Sequence, residues 1–217
     1  DTYKAAFVEA DLDAMRSDEM IAAFDQMRLI VDKYIDPDIL ASDYDTAGTA
    51  LGKGDAMFEI MGDWFIGNLK SYGYAPGSDI VCAGAPMNSG EPGFILNSDS
   101  VVFFEQNDPD YVEGQKMLAS LILSPDFQTI FNQAKGSIPA RMDVDLSQGF
   151  NPCQELAQAD LAASIEAGTL VRSMAHNMTV LQKYRGAMME IITEFVNSDM
   201  SSEEAANLMA DEVEAQM

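Results

Sequence analysis

Positive charge is scarce in this chain of 217 residues: 12 Lys and Arg stand against 36 Asp and Glu, a formal net charge of −24. A phosphate backbone demands a basic surface, and the few cations here are scattered, so nucleic acid is excluded as a partner. Histidine occurs once, at His176. A Ser-His-Asp triad would need that residue as its base, and no GxSxG elbow supplies a nucleophile, which argues against a hydrolase. Cysteine occurs twice, at Cys82 and Cys153, without a CxxC or a histidine cluster of the zinc type. The two either pair in an oxidising compartment or stay as buried thiols. No apolar run approaches the roughly 18 residues of a membrane span. The opening Asp1-Thr2-Tyr3-Lys4 has no initiator Met, basic n-region or apolar h-region, so the chain reads as a fragment or as one product of a cleaved precursor.

What is present is a mixed α and β pattern, long enough for one large or two small domains. Ser17 with Asp18-Glu19 marks a helix start, and Met20, Phe24, Met27, Val31 and Tyr34 recur at helical spacing until Asp36-Pro37. A loop containing Tyr44 leads into a short helix ending near Leu51. Gly52-Lys53-Gly54 then turns into Ala56-Met57-Phe58-Glu59-Ile60-Met61, a short apolar run that reads as a buried strand with Trp64, the single tryptophan, just after it. From Ser71 to Gly93 the Gly/Pro/Ser content predicts loop, interrupted by a short strand at Ile80-Val81-Cys82. Phe94-Ile95-Leu96 and Val101-Val102-Phe103-Phe104 read as strand segments meeting at the polar kink Asn97-Ser98-Asp99-Ser100.

Four helices complete the chain. Asp110 with Glu113 suggests a capping box ahead of Met117, Leu118 and Leu121, and Ser124-Pro125 opens a helix carrying Phe127, Ile130 and Phe131. Asn151-Pro152 starts the third. Leu181, Tyr184, Met188, Ile191, Ile192 and Phe195 form an apolar stripe, and Ser201 with Glu204 caps a last helix that reaches Val213.

Two motifs fail on spacing. Gly48-Thr49-Ala50-Leu51-Gly52-Lys53-Gly54 is one residue short of a phosphate loop and has Gly where Ser or Thr should follow the lysine. Asp143-Val144-Asp145-Leu146-Ser147-Gln148 starts like a calcium loop but has Gln148 at position six and Gln154 at position twelve. No metal and no cofactor is expected.

Asp99, Lys135 and His176 each fall at the edge of an expected element, where residues facing a cleft tend to lie. With Trp64, Tyr44 and Asn97 they make the inventory that a hexose requires. Planar polar side chains match hydroxyls that both donate and accept, and aromatic rings stack on the apolar C–H faces.

Gly62-Asp63-Trp64 preceded by Ala56-Met57, the Asn97-Ser98-Asp99-Ser100 crossover, Lys135-Gly136-Ser137-Ile138-Pro139-Ala140-Arg141 and Met174-Ala175-His176 together resemble the C-terminal half of a periplasmic sugar-binding protein of an ABC importer, in its glucose/mannose branch. The resemblance implies an α/β, two-lobe periplasmic binding protein fold of type II. Residues 1–93 and 140–217 would form the C-terminal lobe, and 94–139 would visit the N-terminal lobe. It implies that Trp64 stacks on sugar, with Tyr44 at a position where relatives often carry Trp, and that Asp99, Lys135 and His176 hydrogen-bond hydroxyls, with Asn97 nearby. It also implies a Cys82–Cys153 disulfide, a periplasmic location, and a non-enzymatic role delivering a monosaccharide such as glucose to a membrane permease. The missing N-terminal half of the same protein would be a further partner. A glycoside-acting enzyme with a carboxylate pair and a sugar-sensing protein that docks on a chemoreceptor are the competing readings.

Overall fold

The computed structural model describes residues 2–86, 90, 92–179 and 182–217. They form two compact units. The first gathers residues 1–42, 95–97 and 171–217, and the second 43–94 and 98–170.

The first unit is helical. A π-helical turn at Lys4–Val8 precedes α1 (Leu12–Met15) and α2 (Asp18–Tyr34), followed by a single turn, α3 (Pro37–Leu40). Far along the chain come α9 (Gln182–Asn197) and α10 (Ser202–Glu214). Met20 and Phe24 of α2, Met188, Ile191 and Phe195 of α9, and Ala205, Ala206, Met209, Ala210 and Val213 of α10 share one core. The three alanines of α10 leave room for the helices beside them to approach closely. Phe24 meets Phe195 edge to face at 4.9 Å. The Arg28 guanidinium lies 4.1 Å over the Phe195 ring and donates to the carbonyls of Phe195 and Met200. Ser17 and Ser201 accept from the amides of Met20 and Glu204, so both expected helix starts are real. The expected α9 stripe is buried at Met188, Ile191 and Phe195, while Leu181 lies outside the described residues.

Two short strands also belong to this unit. β1 (Ile95–Leu96) pairs in parallel with β2 (Val171–Arg172), with Ile95 opposite Val171.

The second unit contains α4 (Tyr44–Lys53), a 3₁₀ turn at Asp63–Phe65, α5 (Ile66–Ser71), α6 (Pro109–Ile122), α7 (Pro125–Lys135) and α8 (Pro152–Ala167). Phe65, Ile66, Leu69, Ile80 and Cys153 form its main core, with Leu51, Trp64, Tyr74 and Cys82 packed against it. The Cys82–Cys153 disulfide closes this core, joining residues 71 positions apart and settling the choice between a bridge and free thiols. Asn151 caps α8 in a full capping box with Gln154, and Ser124 caps α7 through the Phe127 amide.

Several sequence expectations are corrected here. Residues 56–61 form no strand, and Met57, Phe58 and Ile60 are 82, 83 and 83 % exposed. Residues 101–104 behave alike, with Phe104 81 % exposed. A strand exists only with a hydrogen-bonded neighbour, and neither run has one among the described residues. Residues 80–82 contribute only an isolated bridge, Pro76 to Ile80. Helix α6 is capped by Asp108, whose carboxylate accepts from the Asp110 amide, rather than by Asp110 itself. In α7 the expected faces are exchanged. Ile130 and Phe131 are exposed while Gln128 and Asn132 are buried, because these two amides satisfy each other and the loop after the helix.

Candidate functional site

The second unit builds an aromatic corner. Asp45, beside Tyr44 in the first turn of α4, accepts from the Asn68 amide at 3.1 Å and from the Tyr72 hydroxyl, which ties the start of α4 to α5. Tyr44 therefore meets Trp64 at 5.5 Å and Phe65 at 5.7 Å, and Trp64 meets Phe65 at 5.7 Å, all edge to face. Phe65 is buried, Trp64 half-buried and Tyr44 exposed, so the corner has a fixed base and two accessible rings.

A polar group adjoins it. Lys135 is the last residue of α7, and Gly136 follows with φ +96°, the left-handed conformation that ends a helix. A Cβ on Gly136 would lie 2.6 Å from the Gly67 nitrogen, so α5 and the end of α7 meet backbone to backbone. The Lys135 ammonium pairs with the Asp99 carboxylate and lies 5.8 Å above the Phe131 ring. Asp63, in the turn that carries Trp64, is raised above the usual carboxylate range by burial. The amides of Ile138 and Trp64 and the Lys135 charge oppose that rise. The backbone of the tryptophan turn also lies close to the end of α7, a Cβ on Gly136 falling 3.2 Å from the Asp63 carbonyl oxygen.

That segment is held by buried amides. Gln154, 1 % exposed, donates to the Asn132 and Ser137 carbonyls at 2.8 Å each, and Ser137 donates to Asn132 Oδ1 at 2.9 Å. A buried amide with its partners in place specifies one arrangement, because leaving it unmatched costs about 1–3 kcal/mol.

The first unit carries the other two expected residues. Asn97 follows β1 directly and is exposed. Ser173, just after β2, donates its amide to the Leu96 carbonyl at 2.9 Å, and His176 follows in the same turn, exposed, with Nδ1 2.7 Å from Ser173 Oγ. Both residues therefore lie beyond the carboxyl ends of parallel strands, where ligands of open α/β sheets bind.

The structure thus brings Tyr44 to Trp64 and Asp99 to Lys135, all in one unit, with Asn97 and His176 at adjoining strand ends of the other. The sequence reading passed over Asp63, Phe65 and Ser173. Asp63 lies inside the Gly62-Asp63-Trp64 motif, whereas Ser173, between Arg172 and Met174, carries no signal of its own in the sequence. Glu59 was missed too. Both its carboxylate oxygens are buried without a hydrogen-bond partner among the described residues, and burial raises its pKa. The failed calcium motif is explained by Arg141, whose guanidinium takes Asp143 with two bonds of 2.7 and 2.6 Å. Among the described residues no cluster of three acidic, histidine or cysteine side chains could hold a metal, and no helix is long and apolar enough to cross a membrane.

No protein-family model matches the chain. It is 37 % identical over 215 residues to a probable sugar-binding periplasmic protein of Brucella suis, which covers 99 % of this chain and 50 % of that protein. A protein of the same description from Rhizobium meliloti is 36 % identical over 215 residues, 99 % of this chain and 51 % of the relative. A xylose/arabinose-binding protein of Haloferax volcanii is 25 % identical over 173 residues, 77 % of this chain and 35 % of that protein. The chain spans about half the length of the Brucella and Rhizobium relatives.

Proposed function

We propose that this chain is the sugar-holding part of a periplasmic solute-binding protein of an ABC importer, and that it captures a monosaccharide such as glucose or mannose for delivery to a membrane permease. One observation carries the reading. The half-buried indole of Trp64, braced by Tyr44 and Phe65, lies in the same unit as the Lys135–Asp99 pair, and the end of α7 that carries Lys135 meets Gly67 of α5 backbone to backbone, so an aromatic face and a matched donor and acceptor belong to one corner. A pyranose offers the complementary features, an apolar C–H face and a rim of hydroxyls. Similarity along nearly the whole chain to sugar-binding periplasmic proteins supports the same assignment.

In this reading Trp64 and Tyr44 stack on the ring, and Asp99 and Lys135 take hydroxyls as acceptor and donor. Asn97 and His176 are further hydroxyl partners. Binding involves no covalent chemistry. Capture works by differential affinity, in which contacts that exist only in a closed state shift the population toward it, and the permease reads that state.

A polypeptide equivalent to the unmatched half of the relatives is the proposed partner for the apolar surface at residues 57–60 and 101–104. A second copy is disfavoured by the net charge of −24, which makes like chains repel.

The test uses the single tryptophan. Glucose, mannose, galactose and xylose are titrated into the chain alone and into the chain mixed with the unmatched half of the Brucella suis protein, and Trp64 emission is followed. A saturable change with one sugar is expected. A flat response to all four in both samples, with the chain folded, would overturn the monosaccharide reading.

A further inference from the structure

We infer that Ser173 is a positioning residue that holds the neutral His176 imidazole with its proton on Nε2, making His176 a donor at that nitrogen. The inference rests on the sugar-site reading only for the identity of the oxygen that His176 meets.

The backbone around Ser173 is tied at several points. Its amide donates to the Leu96 carbonyl at 2.9 Å, and its carbonyl accepts from the Met178 amide at 3.0 Å. The Asn177 amide donates to the Met174 carbonyl at 3.1 Å, and Asn177 closes the turn at φ +60°. The Tyr3 hydroxyl donates to the Arg172 carbonyl and accepts from the Met174 amide, both at 2.9 Å. Met174 itself is buried in the core of the first unit. The serine and the imidazole are therefore set at a fixed separation of 2.7 Å by a turn anchored on both sides.

The direction of that bond follows from the serine. Ser173 is 5 % exposed, and among the described residues its hydroxyl has one partner, His176 Nδ1. If the hydroxyl donates, its proton is matched and Nδ1 serves as acceptor. Were Nδ1 to carry the proton and donate instead, the buried hydroxyl hydrogen would have no acceptor, a loss the first arrangement avoids. In a neutral imidazole one nitrogen holds the proton, so acceptance at Nδ1 places it on Nε2. His176 then demands an acceptor from its ligand, a lone pair of a hydroxyl or ring oxygen, and cannot serve a hydroxyl that needs to donate. This adds a directional rule to the site. At the sugar position facing His176, fluorine in place of hydroxyl, which keeps an acceptor and loses the donor, is tolerated better than hydrogen.

The decisive measurement needs no variant, because His176 is the one histidine in the sequence. With histidine labelled in ¹⁵N, long-range proton–nitrogen correlation at about pH 8, above the ordinary histidine range, reports a single imidazole. The expected spectrum has a protonated Nε2 and an unprotonated Nδ1. A protonated Nδ1, or two nitrogens averaged to similar shifts, would overturn the inference. Ser173→Ala is expected to average the two nitrogens and to weaken sugar binding roughly three- to tenfold, with Ser173→Thr restoring the wild-type spectrum. An Ala variant that keeps the wild-type spectrum also overturns it. The spectrum is recorded without sugar, so a flat sugar titration bears on the sugar reading alone.

Discussion

The Lys135 ammonium pairs with the Asp99 carboxylate across 36 positions of sequence, at a corner shared with Trp64. The pair is open to solvent, so its own contribution to stability is about 0–1 kcal/mol. Its value to a ligand is larger, since a hydroxyl placed there finds a donor and an acceptor together. Asp99→Ala, Lys135→Ala and His176→Ala are each expected to weaken sugar binding by about 1–3 kcal/mol, the first two with little change in melting temperature. Calorimetric titration against calorimetric melting separates the two effects. Unchanged affinity in all three variants would remove these residues from the site.

Gly62 leaves space for the indole. A Cβ there would lie 2.5 Å from Trp64 Nε1, although the backbone at φ −71° accepts any residue. Gly62→Ala is therefore expected to displace Trp64 without straining the chain, shifting its emission maximum and abolishing the sugar-induced change. A variant with wild-type emission and affinity would show that the indole has room the structure denies it.

Glu59 has a pH signature. Burial raises its pKa above the ordinary glutamate value, so the folded state holds the proton more tightly than the unfolded state does. Below the ordinary value both states are protonated and there is no cost. The cost appears as pH rises through the carboxylate range and is complete above the raised value. Glu59→Gln should therefore stabilise the fold at pH about 7 and give no gain at about pH 3. Urea unfolding of both proteins at the two pH values decides it, and an equal difference at both would sink the argument.

Reduction of Cys82–Cys153 is the largest single perturbation expected. The bridge spans 71 positions, and the chain-entropy model assigns such a loop about 4 kcal/mol. Reduced protein should unfold at a clearly lower urea concentration. The Trp64 signal should report it, because Trp64 packs against the core that contains Cys153 and Cys82.

The helices were legible because their signals are local. Met188 and Phe195 are seven apart on one face, and Ser17, Ser124, Asn151 and Ser201 sit where a short oxygen can reach an unpaired amide. The apolar runs at 56–61 and 101–104 suggest strands that the structure does not form, because an apolar run states a preference and only a neighbour supplies the hydrogen bonds. The buried face of α7 was hidden for a related reason. Gln128 and Asn132 belong inside only because Ala140, Ser137 and Gln154 come back to meet them from later in the chain. In the site, residues that touch solvent carried motif signals. Those that hold them, Phe65 under Trp64 and Ser173 beside His176, are ordinary residues whose role depends on a third dimension.

The first unit joins residues 1–42 to 171–217, whereas the second is contained in 43–170 apart from 95–97. At a synthesis rate of about 5–20 residues per second, α2 leaves the ribosome roughly ten to forty seconds before α10 does. Through that interval Met20, Phe24 and the ring-facing side of Arg28 lack the helices that cover them. The second unit has all its segments before α10 is made, whereas α2 waits for α9 and α10. Within this stretch the order of closure thus runs against the order of the sequence, since α2 precedes the second unit in the chain and is covered after it.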